Sequence, residues 1–227
     1  MSVQGSFYTL KEPAIVENII KKSRFIAHAS PVSSEEEALD FVKSIKDLHK
    51  TATHNCYAYI IGANAGLMRY QDDGEPQGTA GKPILDVLMR NNLVNCAVVV
   101  TRYFGGILLG AGGLVRAYSG STALAVKAAK IVISESSVKI SSLIDYVYWD
   151  KINYHLASLP VCEIEKDFTD KVLLTFTVRQ IDENEVMEKL TSLTDGSAEI
   201  IASDPFFHQW ESDFLDEDDA AIESDST

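Results

Sequence analysis

Arg102 follows an apolar, β-branched run and precedes GGILLGAGG (105–113), a stretch with five glycines that leads into an alanine-rich segment. Glycine lets backbone amides approach a ligand closely, and a helix N-terminus carries partial positive charge. A strand–arginine–glycine loop–helix order is therefore suited to holding phosphate. The guanidinium adds a planar fork that matches two phosphate oxygens. In this reading Gly105, Gly106, Gly112 and Gly113 admit the anion, and Arg102, Arg116 and Lys82 are its cationic contacts. The formal nucleotide loops are not present. G-x-G-x-x-G begun at Gly110 meets Val115 where glycine is required, and a Walker loop begun at Gly105 meets Ala111 and Gly112 where lysine and a hydroxyl residue belong. The same glycines also suit close packing of backbone on a strand, with Arg102 paired internally to an acid. Both readings stand at this level.

A second cluster brings Asp72, Asp73 and Glu75 within four residues, with His54 upstream. Carboxylates so close can hold a hard cation or form an acid/base pair. They are equally ordinary turn chemistry, Asp–Gly followed by Glu–Pro, and that reading is preferred. An EF-hand is excluded, because Ala80 stands six residues past Gly74. The five histidines form neither HxxxH nor HExxH. Cys56 and Cys96 lie in strand patterns and are read as buried and inert. Ser119–Gly120–Ser121 lies inside a helical pattern rather than on a nucleophile elbow. No catalytic residue, metal or cofactor is assigned.

The elements that must position these groups follow from periodicity. KKSRFIAHASPV (21–32) reads as a strand, and Ser33 and Ser34 each precede a glutamate by three residues, the capping-box pattern. Ala38, Phe41, Val42 and Ile45 then repeat at helical spacing. NCYAYIIG (55–62) and LMRY (67–70) read as strands, and QDDGEPQGTAGKP (71–83) as turns. Pro83 suits the first turn of a helix that Asn91–Asn92 ends. LVNCAVVVTRYF (93–104) is a buried strand, and a long helix follows the glycines to about Lys130. Farther on, VKISSLIDYVYW (138–149) reads as a strand and Asp150 as a helix cap. VCEIEKDF (161–168) and KVLLTFTVRQ (171–180) read as a hairpin, Asp182 opens a second helix, and SAEIIAS (197–203) closes a βαββαβ order. The expected organisation is α+β: an α/β domain over 1–136, a ferredoxin-like domain over 137–204, and an acidic, unstructured tail over 205–227.

Charge divides along the same lines. Residues 1–136 carry 14 Lys/Arg against 12 Asp/Glu, residues 137–210 carry 6 against 13, and residues 211–227 carry none against 8. The net −13 therefore does not exclude nucleic acid from the first domain, while the second is a poor binder of phosphate backbone. No apolar run approaches the roughly 18 residues of a membrane span. No signal peptide is visible, and three widely spaced cysteines fit neither a disulfide framework nor a metal site. A soluble cytoplasmic protein is expected.

Four segments in order, HNCYAYIIG (54–62), DDGEPQGTAGKPIL (72–85), VVVTRYFGG (98–106) and LGAGGLVRAYSGSTALA (109–125), closely resemble the YigZ/IMPACT family over about residues 15–130. The resemblance implies a first domain similar to domain 2 of ribosomal small-subunit protein five and to domain IV of elongation factor G. It implies a second, ferredoxin-like domain similar to domain V of that factor. It also implies a bacterial-type member, without the N-terminal partner-binding domain of the eukaryotic proteins. The function so implied is non-enzymatic binding of RNA or the ribosome in translational control, with no membrane or DNA partner. Two alternatives stay open. One is a phosphoryl-transfer or hydrolytic enzyme with its site around His54, Asp72, Asp73 and Glu75; the other is a protein-interaction module using the acidic tail.

Overall fold

The computed structural model describes residues 5–211. The described residues form two compact units, one built on Ser6–Ser134 with residues 209–211, the other on Glu135–His208. The α+β class is observed directly: the described residues form five helices and antiparallel sheets.

The first unit contains β1 (Ser6–Leu10), β2 (Ala14–Ile20), β3 (Ser23–Pro31), α1 (Glu35–Leu48), β4 (His54–Ile61), β5 (Leu67–Gln71), α2 (Gly81–Arg90), β6 (Cys96–Tyr103) and α3 (Ala111–Ala129). Its sheet runs β2-β3-β6-β4-β5, and every pairing is antiparallel. The α/β expectation for this domain is corrected accordingly. A continuous apolar strand signals cover on both faces, and that cover does not require parallel neighbours. In β6, Cys96, Val98 and Val100 join the core built with Ile84 and Leu88 of α2 and Tyr118 and Ala125 of α3. Ala97 and Val99 point to the other face, where Ala38, Val42 and Ile45 of α1 pack. Ser34 caps α1, its Oγ accepting from Glu37 N at 3.2 Å, while the Glu37 carboxylate takes Ser33 N.

β7 (Ile131–Ile144) continues from the first unit into the second, which adds α4 (Tyr146–Leu156), β8 (Val161–Phe168), β9 (Val172–Arg179), α5 (Glu183–Leu193) and β10 (Glu199–Ala202). The order βαββαβ is present, with strands arranged β10-β7-β9-β8 and all antiparallel. Ile140, Phe176, Leu190 and Ile152 lie in its core. Asp145, not Asp150, occupies the N-cap position of α4, because β7 ends at Ile144 and the helix begins at once.

The expected tail is ordered at its start. β11 (Phe206–Glu211) pairs with β7, and Trp210 is buried. An acidic, aromatic segment that cannot order itself gains ladder hydrogen bonds and apolar cover from a neighbouring strand. The rest of that tail lies outside the described residues. No helix among the described residues is long and apolar enough to cross a membrane.

Candidate functional site

Strand register places the central residues. His54 on β4 and Phe25 on β3 both pair with Arg102 on β6, so the three lie side by side near one end of the sheet. The acidic loop between β5 and α2 and the glycine loop between β6 and α3 close over that end. Arg102 is 5% exposed. Its Nη1 donates to Glu75 Oε1 at 2.6 Å, and its guanidinium lies 5.5 Å from the ring centroids of both Phe25 and Phe104. Tyr118 of α3 donates to the same Glu75 oxygen at 2.8 Å, and its ring meets Phe25 edge-on at 5.4 Å. Loop, strand and helix are thus tied at one buried carboxylate.

The fork of Arg102 is engaged by Glu75 and is not held out to solvent. The internal pairing, not the free phosphate fork, is what the structure contains. A buried guanidinium is stable only with a partner of opposite charge, and Glu75 is in reach. One donor remains: Arg102 Nε is buried and without a hydrogen-bond partner.

The other two acids serve the loop itself. Asp72 Oδ1 accepts from Gly81 N at 2.8 Å and Ala80 N at 3.1 Å, and Oδ2 accepts from Gly78 N at 2.8 Å. A carboxylate there satisfies the free amides at the start of α2. Asp73 Oδ2 accepts from Asn55 N at 2.7 Å, and Oδ1 pairs with Lys46 at 2.9 Å. Among the described residues no group of three or more His, Cys, Asp or Glu could hold a metal ion. Burial pushes the Cys56 and Cys96 thiols up to about 12, so neither is a ready nucleophile. Burial likewise holds the Tyr118 hydroxyl far above its ordinary range.

His54 does turn towards a cleft. Its Nδ1 lies 2.8 Å from the Asp73 carbonyl oxygen, and its Nε2 stands 3.9 Å from Glu75 Oε2. The cleft, about 410 Å³, is lined by His54, Glu75 and Arg102, by apolar Phe104, Leu108 and Leu114, and by Gly110 at the start of α3. Phe104 and Leu108 are exposed. Gly110 is the N-cap of α3 with φ +74°, and no side chain caps the amides that follow. Gly105 has a different duty: a Cβ there would stand 2.0 Å from the Lys22 carbonyl group. Gly106 lies in the same loop, and Gly112 and Gly113 lie in the first turn of α3.

The sequence-derived contacts therefore separate. Arg102 and the α3 N-terminus share the cleft with His54 and Glu75. Arg116 lines a neighbouring hollow of about 220 Å³ with Lys21 and Gly113, and Leu109 borders both spaces. Lys82 does not join them; it pairs with Asp86 one turn along α2. Phe104, the hydroxyl of Tyr118, and Ser23, whose Oγ accepts from Gly105 N at 3.2 Å and Arg102 Nη2 at 3.4 Å, are parts of the site that sequence reasoning missed. Phe104, the aromatic that follows Tyr103 directly before Gly105, was the available signal.

Comparison with known proteins places these features in a family. The Impact N-terminal domain matches residues 21–126. The chain is 42% identical over 195 residues to IMPACT family member YvyE of Bacillus subtilis (strain 168), spanning 86% of this chain and 90% of that one. It is 36% identical over 200 residues to IMPACT family member YigZ of Escherichia coli (strain K12), spanning 84% and 94%. A solved structure described as a hypothetical protein superposes with TM-score 0.57 at 33% identity, covering 89% of this chain and 99% of the other.

Proposed function

Given that the chain belongs to the IMPACT family, we propose that it is a non-enzymatic, cytoplasmic protein that binds RNA or the ribosome in translational control. The cleft carries the reading: it combines an uncapped helix N-terminus with the exposed ring of Phe104. The helix start favours a phosphate, and the ring offers a base a stacking surface. Lys21 and Arg116 extend the track through the adjoining hollow. The strand order β10-β7-β9-β8 supports kinship of the second unit with domain V of elongation factor G. The antiparallel first unit is read beside domain IV of that factor and domain 2 of ribosomal small-subunit protein five.

The test is a salt titration of binding to single-stranded RNA by fluorescence anisotropy. Affinity should fall steeply between low and physiological salt. Phe104→Ala should weaken binding by about 1–3 kcal/mol, the range for loss of one stacked base. Affinity indifferent to salt and to Phe104 would refute the reading.

A second reading, hydrolysis, is favoured by one observation: Nδ1 of His54 is held by the Asp73 carbonyl, which leaves Nε2 as a base facing the cleft. Turnover of a phosphoester by the wild type that His54→Ala abolishes would establish it.

A further inference from the structure

We propose that the cleft recognises the cis-diol of a ribose, one hydroxyl donating to His54 Nε2 and its neighbour to Glu75 Oε2. This rests on the reading of the cleft as a nucleic-acid site.

The hydrogen bonds fix where the protons sit. A carbonyl oxygen only accepts, so the 2.8 Å contact with Asp73 O fixes a proton on His54 Nδ1. In the neutral ring Nε2 is then an acceptor. Glu75 Oε1 is occupied by Arg102 Nη1 at 2.6 Å and Tyr118 Oη at 2.8 Å. Glu75 Oε2 makes no hydrogen bond among the described residues and stands 3.9 Å from His54 Nε2. The site thus presents two acceptors side by side with no donor between them. Its complement is a pair of adjacent donors, each reaching its acceptor at about 2.7–2.8 Å.

Other donor pairs fit poorly. The single charge of Glu75 is already matched by Arg102, so an ammonium or guanidinium group would enter the site without a counter-charge. A neutral vicinal diol brings two donors and no charge. Beside it, the uncapped α3 N-terminus favours an anion, so the matching ligand joins a diol to a phosphate, as a ribonucleotide does. The Glu75 side chain is 3% exposed and that of His54 19%. Acceptors so deep are reached by a free sugar and not by a strand passing through, which points to a terminal ribose. A volume of about 410 Å³ falls within the usual range of small-molecule sites. The 2′-hydroxyl is also the group that separates RNA from DNA.

The experiment uses the wild-type chain and varies the ligand, so folding is not in question. A short 5′-labelled oligouridylate ending in ribose is compared with the same oligomer ending in 2′-deoxyuridine or 3′-deoxyuridine, and UMP is compared with dUMP as competitor. Each missing hydroxyl should weaken binding about tenfold to a hundredfold, the scale of a hydrogen bond to a charged or fixed acceptor. His54→Ala, with its fold checked by circular dichroism, should bring the ratio for one of the two hydroxyls close to one and leave that for the other, held by Glu75, largely in place. Equal affinity for all three ends would overturn the diol and leave the nucleic-acid reading standing. Preference for UMP over dUMP without binding of the oligomer would support the diol with a free nucleotide as its source, and would overturn the nucleic-acid reading. Binding of neither oligomer nor UMP would overturn both.

Discussion

His28 on β3 and His49 at the end of α1 bring their Nε2 atoms to 3.2 Å, and Tyr103 closes the chain with its hydroxyl 2.9 Å from His49 Nδ1. Two imidazoles at that distance share a hydrogen bond only if they are not both protonated.

This contact sets a pH dependence. Burial, with His49 adding to it, pushes His28 down to about 4, and burial lowers His49 as well, with Arg24 contributing. Between about pH 6.5 and pH 4 the unfolded chain therefore binds more protons than the folded one, so stability falls as pH falls. The contribution is complete above the ordinary histidine range and is lost by about pH 4, to a total of roughly 3 kcal/mol from His28. Urea midpoints across that range should decline in the wild type and decline less in His28→Gln. Parallel slopes would sink the assignment.

The shared oxygen of Glu75 predicts unequal losses. Tyr118→Phe removes one hydroxyl donor to a charged acceptor and should cost about 1.5–3 kcal/mol. Glu75→Ala strands the Arg102 guanidinium in the interior and should cost about 3–5 kcal/mol. Chemical denaturation of both variants tests the order; a Glu75→Ala variant as stable as the wild type would show that the guanidinium finds water.

Gly105→Ala tests the packing role of the glycine loop. A methyl group 2.0 Å from the Lys22 carbonyl cannot be accommodated without moving β6 or the turn before β3. The expected loss is about 3 kcal/mol, at the upper end for overpacking. Gly112 has only the flexible end of Arg116 within 4 Å, at 3.8 Å, so Gly112→Ala should be nearly neutral in thermal melts.

Most elements around the cleft were legible because each is local. The apolar run of β6, the capping serine of α1, Pro83 in the first turn of α2 and the glycines before α3 declare themselves within a few residues. The ion pair of Arg102 with Glu75 joins residues 27 positions apart. No periodicity encodes such a pairing, and the carboxylate had three candidates in its loop. Lys82 misled because a cation near a helix start looks available, whereas Asp86 four residues on takes it. β2 was missed although it alternates cleanly, because its exposed Ile15 and Ile19 break the usual association of apolar with buried. β11 was hidden by its own composition, since the strand that orders it lies far upstream.

The loop from Asp72 to Gly81 is fastened at both ends by its own carboxylates, at three amides through Asp72 and at Asn55 and Lys46 through Asp73. A wall built this way has little freedom left to surrender when something settles against it. Association then carries a small ordering cost, and rigid docking rather than loop closure governs arrival. Differences among ligands should accordingly show in how long each stays, with arrival rates nearly alike.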